Sequence, residues 1–221
     1  MRHRFIVAHV ARIASSLALL VVVPALAPLA ALAAFLAIFA LVHDLAHGAL
    51  GLPKLANDLA LAIAGVLIAT TGHGLRVAHL RHHARPMADD DLEGAAAHVP
   101  LWRAALAAPG LALRLHASGW REAPRRARRW QRVEYLAVIA LVGAAALGPH
   151  ALRVLVAVAV AMQLTAPVWA GHVPHRPPRW LLAIARRLAF TRSPTVISLL
   201  HHDLHHRLPR VPVGALSAAA S

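Results

Sequence analysis

Cysteine is absent from this chain of 221 residues, and several kinds of site are thereby excluded. Disulfides, thiolate metal sites and cysteine nucleophiles cannot form, so any bound metal must use histidine or carboxylate ligands. Acidic residues are also scarce, nine Asp+Glu against 23 Lys+Arg, and Lys54 is the sole lysine. This preference for arginine, together with the many alanines and leucines, suggests a GC-rich bacterial genome.

The basic excess is not distributed as in a nucleic-acid-binding protein. The arginines lie between long apolar runs and follow no groove-binding motif, so nucleic acid is not an expected partner. Hydrophobic residues make up 59% of the chain and its mean hydropathy is +0.59, which places it among membrane proteins.

The first apolar stretch predicts a helical hairpin. Residues 13–42 carry no charge, but Pro24 and Pro28 interrupt them. A membrane-spanning helix needs roughly 20 residues, so the stretch is too long for one comfortable span. We therefore predict spans over about residues 5–23 and 29–50. A secretory signal peptide is the alternative, because a basic start and an apolar core are typical of one, but the apolar stretch continues past any cleavage site into the motif HDLAHG.

Two later runs without charge predict a second hairpin. Its spans would cover residues 135–152 and 154–171, with a turn at Gly148-Pro149. Residues 59–71 are apolar but short, and are predicted to be interfacial or re-entrant rather than spanning. Residues 100–119 are predicted to form short amphipathic pieces that lie on the membrane.

The distribution of arginine predicts the topology. Arg153 is the one basic residue in a proposed external turn, so the positive-inside rule places both termini in the cytoplasm. We predict a single all-α polytopic domain over residues 1–221, with about four transmembrane helices in two hairpins in the bacterial inner membrane. A cytoplasmic histidine-rich cap would comprise residues 43–132 and 172–212.

Histidine is abundant, with 17 residues, and three clusters of it have regular spacing. The motif HDLAHG places two histidines four residues apart, on one face of a helix. The motifs HLRHH and HDLHH each have the spacing i, i+3, i+4. The spaced histidines are His43, His47, His79, His82, His83, His202, His205 and His206.

Each cluster alone could be a solvated helix face or a pH-sensitive patch. Three clusters in a chain without cysteine instead favour one shared metal site, and the predicted topology puts all three on the cytoplasmic side. Eight imidazoles exceed the roughly four ligands of one tetrahedral zinc ion, so they fit two ions. Imidazole suits zinc, copper, iron and nickel, so the ligand type does not identify the metal.

The order and spacing of these motifs resemble the three histidine boxes of the membrane fatty acid desaturase superfamily. The superfamily includes acyl desaturases and carotenoid ketolases and hydroxylases, and its last box is often followed by a Pro-x-x-Pro tail such as Pro209 to Pro212 here. The resemblance implies a non-haem di-iron centre, with two iron ions as the cofactor. It further implies that O2 is activated there and that hydrogen is removed from an unactivated C–H bond of a lipid.

The resemblance also implies a ninth histidine ligand after the last span. The stretch GHVPHRP offers His175, with His172 as the alternative. Its PHRP resembles the corresponding stretch of bacterial carotenoid ketolases. In the third box, His201 is an alternative to His202, although the spacing favours His202.

Carboxylates beside the boxes are candidates for orienting the histidine rings. Asp44 and Asp203 lie within boxes, whereas Asp90 and Asp91 belong to the acidic run 89–93, where relatives often carry a DDPD-like stretch. A solvated loop is the alternative interpretation of that run. The remaining histidines have no supporting spacing and are predicted to be interfacial or surface residues: His3, His9, His73, His98, His116 and His150.

We therefore expect an O2-dependent lipid desaturase that acts on acyl chains and takes electrons from a separate donor such as a ferredoxin. Carotenoid ketolation or hydroxylation by the same centre is the alternative. A histidine-rich transition-metal transporter is the competing class, but its ligands would lie near the bilayer midplane rather than at helix ends. The basic stretch 120–132 is expected to anchor the protein at the membrane, with docking of an acidic electron donor as the alternative.

Overall fold

The computed structural model describes residues 2–220, and every regular element within them is helical. The α-helices are α1 (His3–Val22), α2 (Ala27–Ala46), α3 (Lys54–Leu67), α4 (Gly72–Ala84), α5 (Leu101–Arg121), α6 (Arg125–Leu147), α7 (His150–Leu164), α8 (Val173–His175), α9 (Arg179–Leu188), α10 (Pro194–Leu200), α11 (His202–Arg207) and α12 (Leu216–Ala219). A π-helical segment, Pro167–His172, links α7 to α8. The predicted all-α class is confirmed.

Four segments are long and apolar enough to cross a membrane, as predicted. They are His3–Val22, Pro24–Ala46, Arg125–Leu147 and His150–His175. In the first hairpin α1 packs against α2, and in the second α6 packs against α7. The ends of α2 and α7 that follow the two turns also pack together, because buried alanines of α2 let it approach Leu20 and Leu155 closely.

The second hairpin begins earlier than its predicted boundaries. α6 starts at Arg125, directly after Pro124, whereas the predicted span started at residue 135. Arginine is a good helix former, so the arginine-rich stretch extends the apolar helix instead of ending it. α7 likewise starts at His150, directly after Pro149. The arginines therefore determine where the apolar run begins, but not where the helix begins.

A sharp bend separates α3 from α4, whose axes differ in direction by 102°. The predicted non-spanning segment 59–71 covers most of α3 and this bend. Gly65 and Gly72 meet there, and a Cβ atom on Gly72 would overlap the carbonyl of Leu61. The close backbone approach requires glycine, and it turns α4 towards the C-terminal end of α2.

The prediction of short amphipathic pieces over residues 100–119 is wrong, because α5 is one continuous helix. Pro109 lies inside α5 and removes one backbone hydrogen-bond donor without ending the helix. Buried alanines at four-residue spacing, Ala104, Ala108 and Ala112, form one face of α5. Because α5 packs against α4 and the π-helical segment, packing outweighs the local cost of the proline.

Candidate metal centre

The nine histidines predicted as ligands meet at one end of the helical bundle. His43 lies in the last turn of α2 and His47 directly follows that helix. α4 supplies the histidines of HLRHH, α8 supplies His175, and α11 supplies those of HDLHH. Because α2 ends here and the bend directs α4 to the same place, segments far apart in sequence converge.

The rings form two groups of four. Group one consists of His43, His47, His79 and His205, all of them buried, and group two consists of His82, His175, His202 and His206. In each group, one nitrogen of every ring lies within 4.8 Å of the corresponding nitrogens of the other three. Four nitrogens this close together can bind one ion.

The contacts within group one join Nε2 atoms. His43 Nε2 lies 3.0 Å from His205 Nε2, and His79 Nε2 lies 3.0 Å from His47 Nε2. Imidazole nitrogens bound to a common ion at roughly 2.0–2.1 Å lie about 3 Å apart when they are adjacent. The spacing of group one therefore fits a metal ion.

Group two has the same arrangement with slightly longer distances. His175 Nε2 lies 3.2 Å from His82 Nε2 and 3.3 Å from His202 Nε2. His206 Nε2 lies 3.1 Å from His202 Nε2. The Nε2 atoms again converge, so each group is built as a complete ligand set.

His83 lies between the two groups. Its Nε2 atom is 3.0 Å from His205 Nε2, which belongs to group one. Its ring stacks on His206 of group two, with ring centroids 4.3 Å apart. His83 is thus placed where it can bind either ion or link the two groups.

Two carboxylates fix the orientation of rings in different groups. His79 Nδ1 lies 2.8 Å from Glu93 Oε1, and His82 Nδ1 lies 2.6 Å from Asp91 Oδ2. Each Nδ1–H donates to a carboxylate oxygen, which leaves the Nε2 lone pair free to bind a metal. The converging lone pairs need a shared cation, so the donor chemistry fits a metal ion in each group.

Asp44 directly follows His43 in α2 and binds two other segments of the chain. Its carboxylate accepts hydrogen bonds from the backbone N–H of Val213, at 3.0 Å, and from His9 Nε2, also at 3.0 Å. The contact between Asp44 and His43 is longer, with 3.8 Å between Asp44 Oδ1 and His43 Nδ1. Asp44 therefore ties α1 and the C-terminal segment to the helix that carries His43.

The other two predicted carboxylates do not contact the rings. Asp90 Oδ2 pairs with Arg81 at 2.8 Å and with Arg85 at 2.6 Å, on the exposed side of α4. Asp203 is exposed, and its side chain makes no hydrogen bond to another residue within the range 2–220. In the acidic run, Asp91 and Glu93 face the rings, while Asp90 has the solvated position of the alternative interpretation.

The two alternative ligands lie outside both groups. His172 is buried, but its Nδ1 atom faces the carbonyl oxygen of Ala96 at 2.8 Å. His201 Nε2 lies 3.4 Å from the hydroxyl of Ser217. The geometry therefore favours His175 over His172 and His202 over His201.

Two histidines that were predicted to be interfacial or surface residues are buried instead. His9 is 3% exposed and bonds to Asp44 as described, and His73 is fully buried in α4. His73 Nδ1 lies 2.6 Å from Glu134 Oε1, and its ring stacks on Trp130. Neither histidine has a regularly spaced partner, so the sequence carried no signal for these contacts.

Burial keeps three of the rings, His47, His83 and His202, in the neutral form that binds metals. Burial and the neighbouring imidazoles lower the pKa of His47 to about 2, of His83 to about 3 and of His202 to about 2. Burial would raise the pKa of Asp91, but the hydrogen bond from His82 prevails and lowers it to about 2. At neutral pH these imidazoles are neutral and Asp91 is charged, as metal binding requires.

Comparison with known proteins agrees with this geometry. Residues 18–221 match the family model described as fatty acid desaturase. The chain belongs to the fatty acid desaturase family. Searches of curated proteins and of solved structures found no match to the chain. Membership implies an oxidoreductase that is associated with a membrane and with a lipid substrate.

A large apolar cavity of this desaturase reaches both ligand groups. Its volume is about 440 Å³, and His43, His79 and His202 lie in its wall. Along α2 it extends from His43 back to Leu32, which corresponds to about 16 Å of helix. The cavity therefore follows a membrane-spanning helix and ends at the ligands.

Proposed function

We propose that this protein is an O2-dependent non-haem di-iron desaturase that acts on the acyl chains of lipids. The proposal depends chiefly on one observation: two four-histidine groups lie side by side at the end of an apolar cavity. A lipid chain in that cavity would reach the ligands while its other end stays in the membrane region.

Each group would hold one iron ion. His43, His47, His79 and His205 would bind the first, His82, His175, His202 and His206 would bind the second, and His83 would lie between them. With two irons bound and two electrons supplied, the centre provides the oxidising power needed to break an unactivated C–H bond with O2.

The surrounding residues would position the rings and the chain. Glu93 and Asp91 hold His79 and His82 with Nε2 directed at the ion, so their removal would misplace the ligands. Leucine and aromatic side chains of the cavity would exclude water from the chain, which protects a strong oxidant from side reactions.

We also propose that both termini face the cytoplasm of a bacterium and that a separate protein, such as a ferredoxin, donates the electrons. The basic stretch 120–132 would serve mainly as a membrane anchor. Arg125, Arg129 and Arg132 are exposed on the first turns of α6, just before its apolar part. The same exposed charge suits an acidic donor, so one surface can serve both purposes.

The test is the lipid profile of a bacterial host that expresses the chain with a redox donor. The control is the His82→Ala/His83→Ala double variant, which removes a ligand from group two and the residue between the groups. New double bonds in acyl chains, absent from the control, would support desaturation. Keto or hydroxy pigments would instead support the carotenoid alternative.

The transporter alternative has its own test. If the protein were a transporter, vesicles that contain it would take up a transition metal, and single His→Ala changes in the boxes would abolish that uptake. We expect no such uptake, since the ligand groups lie where α2 ends and not at its middle.

A further inference from the structure

We propose that Phe39, braced by Trp169, is the wall that limits how far a lipid chain can pass the metal centre. It would thereby determine which carbon of the chain is oxidised. This inference rests on the proposed function, because it concerns the position of the same reaction.

A second, smaller cavity adjoins the large one. Its volume is about 60 Å³, and it lies between α4, α5 and the end of α7. Both cavities are lined by Phe39, His43, His79, Glu93 and Ala170. A chain that runs along the large cavity would therefore reach the ligands at the junction where the small cavity begins.

Phe39 stands at the junction of the two cavities. It lies four residues before His43, and therefore on the same face of α2, one turn below this ligand. Its ring meets Trp169 edge to face, with centroids 4.7 Å apart. Trp169 is fixed in turn, because its indole N–H donates to the carbonyl oxygen of Met162 at 2.8 Å. The ring of Phe35 also stacks on Phe39, with centroids 6.3 Å apart, so the Phe39 ring cannot easily swing away from a passing chain.

The small cavity determines which end of the chain leads. Much of its wall consists of alanine, glycine and leucine, including Leu75, Ala78, Ala112 and Leu115. A space of about 60 Å³ with such a wall suits a methyl end and has no room for a polar headgroup. Widening the passage at Phe39 would let more of the methyl end pass, and filling the small cavity would let less pass.

The first experiment measures binding, without turnover. The iron-loaded full chain in detergent is heated with saturated fatty acids of increasing length, and the length beyond which its melting temperature no longer rises is recorded. We expect Phe39→Ala to move that limit to longer chains. Leu41→Ala is the matched control, because Leu41 lies two residues after Phe39 in α2 but lines neither cavity. Equal limits in wild type and Phe39→Ala would overturn the inference.

The second experiment locates the modified carbon in lipids from cells that express each variant. We expect the site to move away from the methyl end in Phe39→Ala and towards it in Ala112→Leu, with Leu41→Ala unchanged. An unmoved site in both variants would overturn the inference and leave the proposed function intact. Chain-length-dependent binding without any product in the wild type would instead overturn the proposed function alone.

Discussion

At the residue scale, the spacing of histidines predicted eight of the nine that converge, and the resemblance to the desaturase superfamily supplied the ninth, His175. His43 and His47, four residues apart, lie in one group, as the helical periodicity requires. The sequence could not divide the nine rings into two groups, because the pairing of His205 with His43 depends on how α11 packs. It also gave no reason to separate Glu93, which meets His79, from Asp90, which meets arginines.

Glu93→Gln tests whether a carboxylate behind the ligand matters for the metal. The amide is a weaker acceptor for His79 Nδ1–H, so we expect iron affinity to fall by about 10–100-fold. Iron titration of the purified protein measures this. Asp90→Asn is the matched control, since Asp90 belongs to the same loop but pairs with Arg81 and Arg85. An equal loss in both variants would contradict the role of Glu93.

His9→Ala tests a buried contact that no motif indicated. Asp44 would lose one of its two close hydrogen-bond donors in a dry environment, so we expect a loss of about 1–3 kcal/mol in stability. Thermal unfolding in detergent provides the measurement. His3→Ala, at an exposed position of the same helix, should leave the unfolding temperature unchanged.

At the element scale, hydropathy predicted the four long helices and gave poor boundaries. It placed the start of the third span after the arginines, although α6 already begins among them, at Arg125. It also divided residues 100–119 at Pro109, because the buried alanine face of α5 is recognisable only once α4 is known to pack on it. Hydropathy and proline positions report which residues avoid water and where the backbone is constrained. The ends of α5 and α6 depend instead on the helices that pack against them.

Gly72→Ala tests whether the bend between α3 and α4 positions the ligands. A methyl group there would overlap the carbonyl of Leu61, so α4 must shift and carry its three box histidines with it. We expect reduced iron content at unchanged membrane insertion. Gly143 lies within α6, where an added Cβ atom would meet open space. Gly143→Ala should therefore keep the iron content of the wild type and raise its stability by up to about 1 kcal/mol.

At the scale of the whole molecule, the metal should stabilise the fold. Binding to the folded state alone raises stability by RT ln(1 + [L]/Kd), which is about 2.7 kcal/mol at 100 Kd. We expect Fe(II) to raise the unfolding temperature of the wild type and a chelator to reverse this. His205→Ala removes a ligand of group one only and should reduce the effect, whereas His98→Ala, at an exposed position, should preserve it in full.

The absence of cysteine allows a direct test of the topology. Single cysteines introduced at His150 and at Ser217, both exposed, can be labelled with a maleimide that does not cross membranes. In intact bacterial spheroplasts, we expect labelling at position 150, near the external turn, and protection at position 217. Labelling at position 217 in intact spheroplasts would contradict the predicted cytoplasmic location of the C-terminal segment.

Each four-histidine group joins an early part of the chain to a late one. Group one cannot be completed until His205 has been synthesised, long after His43 and His47. If the groups hold iron as proposed, we expect its loading to follow the translation of α11. During biogenesis the earlier histidines would lack part of their ligand set, so iron would bind the complete polypeptide rather than a nascent one.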